Sequence, residues 1–385
     1  MRQIDLKMAE INKKFKCVLI TQGTDIIEVA KIPFSSPIAN WMTYGGIPVG
    51  KITEFYGGEN GGKTTSALDI CANAQKEFIR VFNAHREEIL YEVEQLRDKD
   101  TKESIKKADK LMSDLTAYVE RGPKVVVYVD AEQTLDTQWA ELLGVNTEEL
   151  ILVRPQAETA EQIFQIIIDL VATGDVGLCI LDSIPMLVSQ NIFDESIEKK
   201  SYGGISQALT EFCRKITPYL VQNQCAFIGI NQVREDLSSM YNTETTPGGK
   251  MWKHACSLRI KFKRGDFFDP QGRTLTSKAE NPAGNKVVMA ITKTKVCKPN
   301  RRLGYYTLNY LEGIQLIWDM IEVALCYNII KQSGAWYEIL DKDGNTLEID
   351  GKILKFQGKS KLINYLQDNN TILNKLMDRL DKEMV

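Results

Sequence analysis

Histidine is scarce in this sequence: His85 and His254 are the only two in 385 residues, and they lie far apart. Zinc sites draw on grouped His and Cys. The eight cysteines, at 17, 71, 179, 213, 225, 256, 297 and 326, contain no C-x-x-C pair, which argues against both a zinc site and a disulfide framework. Cys179 and Cys225 sit inside apolar strand-like runs and read as buried thiols of a reducing, cytoplasmic setting. No apolar run approaches the roughly 18 to 20 residues of a membrane span. The start, Met1-Arg2-Gln3-Ile4-Asp5-Leu6, carries an acid early and has no apolar signal core, so secretion is not expected. Charge excess is missing as well: 48 Lys and Arg stand against 51 Asp and Glu, a net of -3. That excludes a uniformly basic nucleic-acid coat but not a local grip, because a few placed cations suffice to hold phosphates.

What is present is a phosphate-binding pattern. "GGENGGKTT", residues 57 to 65, follows the strand-like Lys51-Ile52-Thr53-Glu54-Phe55-Tyr56 and precedes the helix-like Ala67 to Ala74. Gly57, Gly62, Lys63 and Thr64 fit G-x-x-x-x-G-K-[ST]. In such a loop the glycines let backbone N–H groups curl around phosphate oxygens. Gly57, Gly58, Glu59, Asn60, Gly61, Gly62, Lys63, Thr64 and Thr65 are therefore the expected ATP cradle. Lys63 would reach the β- and γ-phosphates, and the Thr64 hydroxyl would ligate Mg²⁺.

From Lys51 to about Leu325 strand-like and helix-like segments alternate, the signature of an α/β fold with a mostly parallel sheet. The runs 125–129, 178–181 and 226–230 are almost wholly apolar, as strands buried on both faces are. Two of them end in acids. Asp182, after Leu178-Cys179-Ile180-Leu181, is placed to stand behind Thr64 and the metal; a helix N-cap is the plainer role for it, and the two are compatible. Glu132, after Val129-Asp130-Ala131, is a candidate base for the attacking water, the alternative being a solvated surface acid. Asn231-Gln232 ends the third run and could sense a γ-phosphate.

Residues 1 to 16 carry apolar positions at helical spacing. Residues 79 to 121 break the α/β rhythm and read as a charged helical hairpin, with Asp100 and Glu103 resembling a capping box. Its role is packing on the host domain or service as a partner-binding arm. After residue 330 the pattern becomes a small α+β unit with two amphipathic helices. The expected division is 1–38, 39–328 with the 79–121 insert, and 329–385.

Taken in order, "GGIPVGKITEFYGGENGGKTT", "VDAEQTLD", "LDSI", "INQVR", "ETTPGGKMWKHACSLR", "KTKVCKP" and "SGAWY" resemble the RecA family of homologous recombinases over roughly residues 40 to 75 and 122 to 345. The resemblance implies a P-loop core with an N-terminal helix and strand segment, DNA-stimulated ATP hydrolysis, and a helical filament of the protein on single-stranded DNA that pairs with double-stranded DNA. It implies Glu132 as catalytic base and Gln232 as γ-phosphate sensor. It puts Asp136 and Trp139 at the adenine, with Trp where Tyr is usual. Lys293 and Lys295 match a pair that reaches ATP across the protomer interface; alone, two lysines at i and i+2 would read as an exposed strand face. Two DNA loops are implied, about 191–204 with Lys199, Lys200, Tyr202, Gly203 and Gly204, and about 233–250 with Arg234, Gly248, Gly249 and Lys250. On composition alone either would pass for an ordinary flexible loop.

The chain also departs from the family pattern. Gln207 stands where Arg is common, Tyr202 where Met is usual, the second loop is one residue shorter, and the chain ends Asp381-Lys382-Glu383-Met384-Val385 rather than in a strongly acidic run. Two other functions stay open at this point: a hexameric helicase of the same core fold, and an assembly factor that binds ATP without useful turnover.

Overall fold

A computed structural model describes residues 3–15, 29–194, 204–235, 244–276, 278–349 and 351–384. Contacts separate 1–30 from 31–385. The first unit holds helix α1, Gln3–Phe15, with a Lys7–Glu10 ion pair one turn apart.

The second unit is organised by one sheet. Its main strands are β1 (Ile52–Gly57), β2 (Val125–Asp130), β3 (Ile151–Val153), β4 (Val176–Asp182), β5 (Ala226–Gln232), β6 (Leu258–Phe268), β7 (Gly284–Thr294), β8 (Leu303–Asn309) and β9 (Gly313–Ile314), and the two-residue strand Thr274–Leu275 pairs with the end of β6. They lie in the order β9-β8-β7-β6-β1-β5-β4-β2-β3. From β3 through to β6 every pairing is parallel, and β6 through to β9 continues antiparallel. The apolar runs lie in the parallel part, where both faces are covered. In β2, Val126 and Tyr128 join one core and Val127 and Val129 the other, as the two-residue period of a strand requires.

Helix α2 runs from Lys63 to Arg97 and packs its first three turns on one face. It does not stop where the host core ends. It continues as the first limb of the 79–121 hairpin, and α3 (Lys102–Arg121) returns. No Gly or Pro interrupts 63–97, so nothing local breaks the helix, and 35 residues extend roughly 52 Å. The limbs meet through Val93, Leu96 and Ala108, a stacked Phe82–Tyr118 pair and a Lys107–Glu92 ion pair of 3.0 Å. The capping box at the turn is formed by Thr101 and Ser104, one residue beyond the expected Asp100 and Glu103. Asp100 has φ +45°, whereas an N-cap needs the extended backbone that Thr101 adopts.

Short helix α4 (Thr137–Leu142) follows β2. On the opposite face of the sheet lie α5 (Ala160–Ala172), α6 (Gly204–Gln222) and α7 (Gly249–Ala255), whose Ile163, Ile167, Leu209, Phe212 and Trp252 are buried against Val127, Leu181 and Phe227. Each such large apolar side chain contributes about 1.5–3 kcal/mol on burial. A third core belongs to α8 (Leu316–Cys326), a three-stranded sheet of β10 (Ile330–Ser333), β11 (Trp336–Ile339) and β12 (Lys355–Gln357), and helices α9 (Lys359–Asp368) and α10 (Asn370–Met384). This is the small α+β unit read from the sequence. Of the cysteines among the described residues, Cys71, Cys179, Cys213, Cys225 and Cys256 are buried free thiols.

Asp319 of α8 is wholly buried. Its Oδ1 accepts from the Thr307 N–H at 3.1 Å, and its Oδ2 has no hydrogen-bond partner among the described residues. Burial, opposed by the hydrogen bond from the Thr307 N–H, pushes this carboxyl up to about 7. The native state thus holds the proton more tightly than the unfolded chain. Its contribution to stability is whole below the ordinary value of 3.8 and is lost as pH rises through about 7. Asp319→Asn should flatten part of that slope, by an amount on the order of a few kcal/mol at about 1.4 kcal/mol per pH unit. Urea melts at pH 5 and pH 8 check it; an unchanged slope contradicts it.

Candidate functional site

The parallel register brings four strand ends to one edge of the sheet. Gly57 of β1 pairs with Gln232 of β5, and Asp130 of β2 pairs with Asp182 of β4. The carboxyl edge of such a sheet is where ligands collect.

The loop from Gly57 to Gly62 leaves β1 and turns directly into α2. Gly57 has φ +154°, and a Cβ there would lie 2.1 Å from the Phe262 carbonyl oxygen. Gly62, at φ +93°, is the N-cap of α2 without any side-chain cap, so the first N–H groups of the helix keep no side-chain acceptor at the cap. Lys63 is 9% exposed and its Nζ donates to the carbonyls of Gly58 (2.6 Å) and Gly57 (3.2 Å). Burial pulls its pKa down, opposed by the charges of Asp182, Glu132 and Glu59. A cradle that side chains cannot enter, with an ammonium at its rim, fits a chain of phosphates.

Thr64 Oγ1 donates to Asp182 Oδ2 at 2.8 Å, and the Tyr128 hydroxyl donates to the same oxygen at 2.8 Å. Asp182 is 6% exposed. Burial raises its pKa, while the two hydroxyls oppose the shift. The Thr64 oxygen keeps lone pairs free, and hard oxygen donors of this kind suit Mg²⁺.

Beyond β2 the chain doubles back. Ala131 and Glu132 N–H groups donate to the Asp182 carbonyl at 2.7 and 3.3 Å. The buried Asp130 carboxylate accepts from the N–H groups of Thr134 and Leu135 at 3.1 and 3.2 Å. Glu132 is held half-buried by this turn, and Ser183 Oγ donates to its Oε1. The other carboxylate oxygen receives no such bond from Ser183.

Asp136 caps α4, accepting from Gln138 and Trp139 N–H at 2.9 and 3.1 Å. That places Trp139 in a cleft of about 420 Å³ with Asn60, Gly62, Thr65, Asn285 and Tyr310. An indole and a phenol in a cleft touching the phosphate loop offer stacking faces for a base.

Gln232 ends β5 half-exposed, and two residues later Arg234 and Glu235 pair with Thr245 and Glu244. This ladder roots the second loop. Gly248, at φ +105°, caps α7, with Gly249 at φ +71° and Lys250 exposed behind it. A Cβ at Gly248 would meet Leu209 Cδ1 at 2.9 Å, so this glycine is also required by packing. Gly204 opens α6 at φ +36°. Lys199, Lys200, Tyr202 and Gly203 lie outside the described residues. Lys293 and Lys295 do not join the phosphate loop. Their Nζ atoms donate to α7 carbonyls, Lys293 to Lys253 (2.5 Å) and His254 (3.0 Å), Lys295 to His254 (3.0 Å). Burial and repulsion from Lys295 lower the Lys293 pKa.

Comparison with known proteins decides the family. The profile of the RecA N-terminal domain matches residues 2–87 and 102–315. The chain belongs to the RecA family. It is 28% identical to Protein RecA of Aquifex aeolicus over 388 residues, which covers all of this chain and 92% of the relative. It is 30% identical to Protein RecA of Thermus aquaticus, over 88% of this chain and 82% of the relative. With Protein RecA of Clostridium acetobutylicum it shares 29% over 89% and 83%. As a member of the RecA family it is a DNA-dependent ATPase of DNA recombination and repair. The residues skipped between the two matched segments, 88–101, are the tip of the α2–α3 hairpin.

Sequence reasoning missed Tyr128, Ser183, Asp130 and Tyr310 as members of this RecA-type site. Ser183 and Asp130 are sequence neighbours of Asp182 and Glu132, which was a usable signal. Tyr310 lies 248 positions beyond Gly62 and only the fold brings it in.

Gly62→Ala adds a methyl at φ +93° and 2.7 Å from Val287 Cγ1. Affinity for a fluorescent ATP analogue should fall at least about tenfold, or 1.4 kcal/mol. Unchanged binding by a folded variant contradicts this account of the cradle.

Proposed function

We propose that this protein polymerises as a helical filament on single-stranded DNA, pairs it with homologous duplex and exchanges strands, with ATP held at the seam between neighbouring copies. The observation that carries this reading is the one sheet edge shared by the phosphate loop, Asp182, Glu132 and Gln232, with Gln232 leading straight into the root of the second loop.

In this reading Gly57 to Thr65 wrap the phosphates, Lys63 neutralises them, and Trp139 and Tyr310 flank the adenine. Asp136 orients Trp139 through its cap. Mg²⁺, when bound with the nucleotide, supplies charge neutralisation between the β- and γ-phosphates; Thr64 would hold it, with Asp182 behind. Glu132 Oε2 takes the proton of the attacking water, and the bond from Ser183 holds Oε1 still. Gln232 reports the γ-phosphate to the second loop. Lys293 and Lys295 serve the neighbour's nucleotide, where a positive charge stabilises the transition state only when two copies are docked. Their position at the end of β7, bonded to α7 carbonyls and away from the chain's own phosphate loop, supports this. DNA is gripped by the two loops through Lys199, Lys200, Tyr202, Gly203, Gly204, Arg234, Gly248, Gly249 and Lys250, mainly on the phosphate backbone.

The three segments 1–38, 39–328 and 329–385 serve polymerisation, catalysis and accessory contacts, and the protein works in the cytoplasm. Among the described residues no helix is long and apolar enough to cross a membrane.

Circular single-stranded DNA and homologous linear duplex, incubated with the protein, Mg²⁺ and ATP, should yield joint molecules and exchanged products. Glu132→Ala should bind ATP, lose turnover by at least about a hundredfold, and remain on DNA as filaments under the electron microscope. Closed rings, or rapid turnover by the variant, would overturn the reading.

A further inference from the structure

The buried carboxylate of Glu54 takes no part in the chemistry above, yet it accepts three side-chain hydrogen bonds close to the site. It lies on β1 three residues before the phosphate loop and is fully buried. Its Oε1 accepts from Asn231 Nδ2 at 2.9 Å and from Trp252 Nε1 at 2.8 Å, and its Oε2 accepts from Arg259 Nε. Arg259 also lies over the Tyr56 ring, 4.7 Å from its centroid.

These donors come from three different elements. Asn231 is the neighbour of Gln232 on β5, and its amide also donates to the Pro247 carbonyl at 2.9 Å, at the return of the second loop. Trp252 belongs to α7, whose carbonyls at Lys253 and His254 receive Lys293 and Lys295. Arg259, on β6, donates from Nη2 to Thr246 Oγ1 at 3.2 Å, again at the loop's return. Lys253 of α7 adds a bond to Thr245 Oγ1 at 3.0 Å.

Packing alone does not call for such an arrangement. A buried ion pair costs desolvation, and apolar residues of the same volume commonly do as well or better for stability. What a saturated carboxylate supplies and a leucine does not is direction. All three donors must keep their places for Glu54 to stay satisfied, so a shift of one is felt by the others.

We infer that Glu54 is a positioning residue that ties three things together: the strand end sensing the chain's own γ-phosphate, the helix whose carbonyls hold the lysines that serve the neighbouring copy, and the root of the second DNA loop. It rests on the proposed reading of Gln232, Lys293 and Lys295. DNA and the two nucleotides then communicate through one hub. Severing the hub uncouples them without emptying the nucleotide site.

Two variants test this. Glu54→Gln keeps the shape and breaks the charge pairing. Trp252→Phe keeps an aromatic ring in the core and removes the N–H that reaches Glu54, at the cost of some packing against Gly229, so it serves if Glu54→Gln fails to fold. For the folded variants, affinity for a fluorescent ATP analogue and turnover without DNA should stay within about twofold of the parent. Stimulation by poly(dT) should fall at least tenfold, and the Hill coefficient for ATP in its presence should drop towards one. A purely structural role would lower the melting temperature and leave stimulation and cooperativity intact, and that result overturns the inference. Lys293→Ala, run alongside, separates the two levels. If it loses DNA-stimulated turnover while Trp252→Phe keeps it, the hub is wrong and the functional reading stands. If Lys293→Ala keeps full stimulation, the reading fails and takes the inference with it.

Discussion

The parallel register of β2, β4, β5 and β1 is the constraint on which the rest of the molecule depends. Residue-for-residue pairing sets Asp130 beside Asp182, Leu181 beside Gly229 and Gln232 beside Gly57, so that these groups leave the sheet at its carboxyl edge, Gln232 two residues further out than Asp182. A shift of one residue in any of these pairings would turn its side chains to the other face. The two cores that clamp the sheet make such a shift costly, because Val126 and Tyr128 would have to trade places with Val127 and Val129. Stability is thus spent on placing polar groups at one edge.

Upon that edge the bonding is hierarchical. Tyr128 and Thr64 fix Asp182, the Asp182 carbonyl fixes the turn holding Glu132, and Ser183 fixes the Glu132 carboxylate. These groups are therefore held in place within one copy. The lysines at 293 and 295 stand apart from them, at the end of β7 with their ammonium groups on α7 carbonyls. Glu54 lies where these two sets of contacts meet, one element behind the nucleotide.

Much of this was legible in the residues. The phosphate loop is a local device, read from spacing alone, and Asp182 and Glu132 announce themselves as acids ending apolar strands. The parallel sheet followed from apolar runs alternating with helical ones, and the RecA family from the order of the blocks. Residues whose work depends on contacts distant in sequence were not legible. Tyr310 joins Trp139 only because β8 lies next to β7 in the sheet, and Glu54 meets Asn231, Trp252 and Arg259 across some 180 to 200 positions. The hairpin was read, but its seam with α2 was not, since an uninterrupted helix leaves no mark where a core ends.

The central claim is that nucleotide state, read at the strand edge, sets the grip of the DNA loops. The direct measurement is the affinity of the protein for a fluorescent single-stranded oligonucleotide at fixed salt and Mg²⁺, with a non-hydrolysable ATP analogue and with ADP. The account predicts binding at least about tenfold tighter with the ATP analogue, a coupling of about 1.4 kcal/mol. Equal affinity in the two states would contradict it.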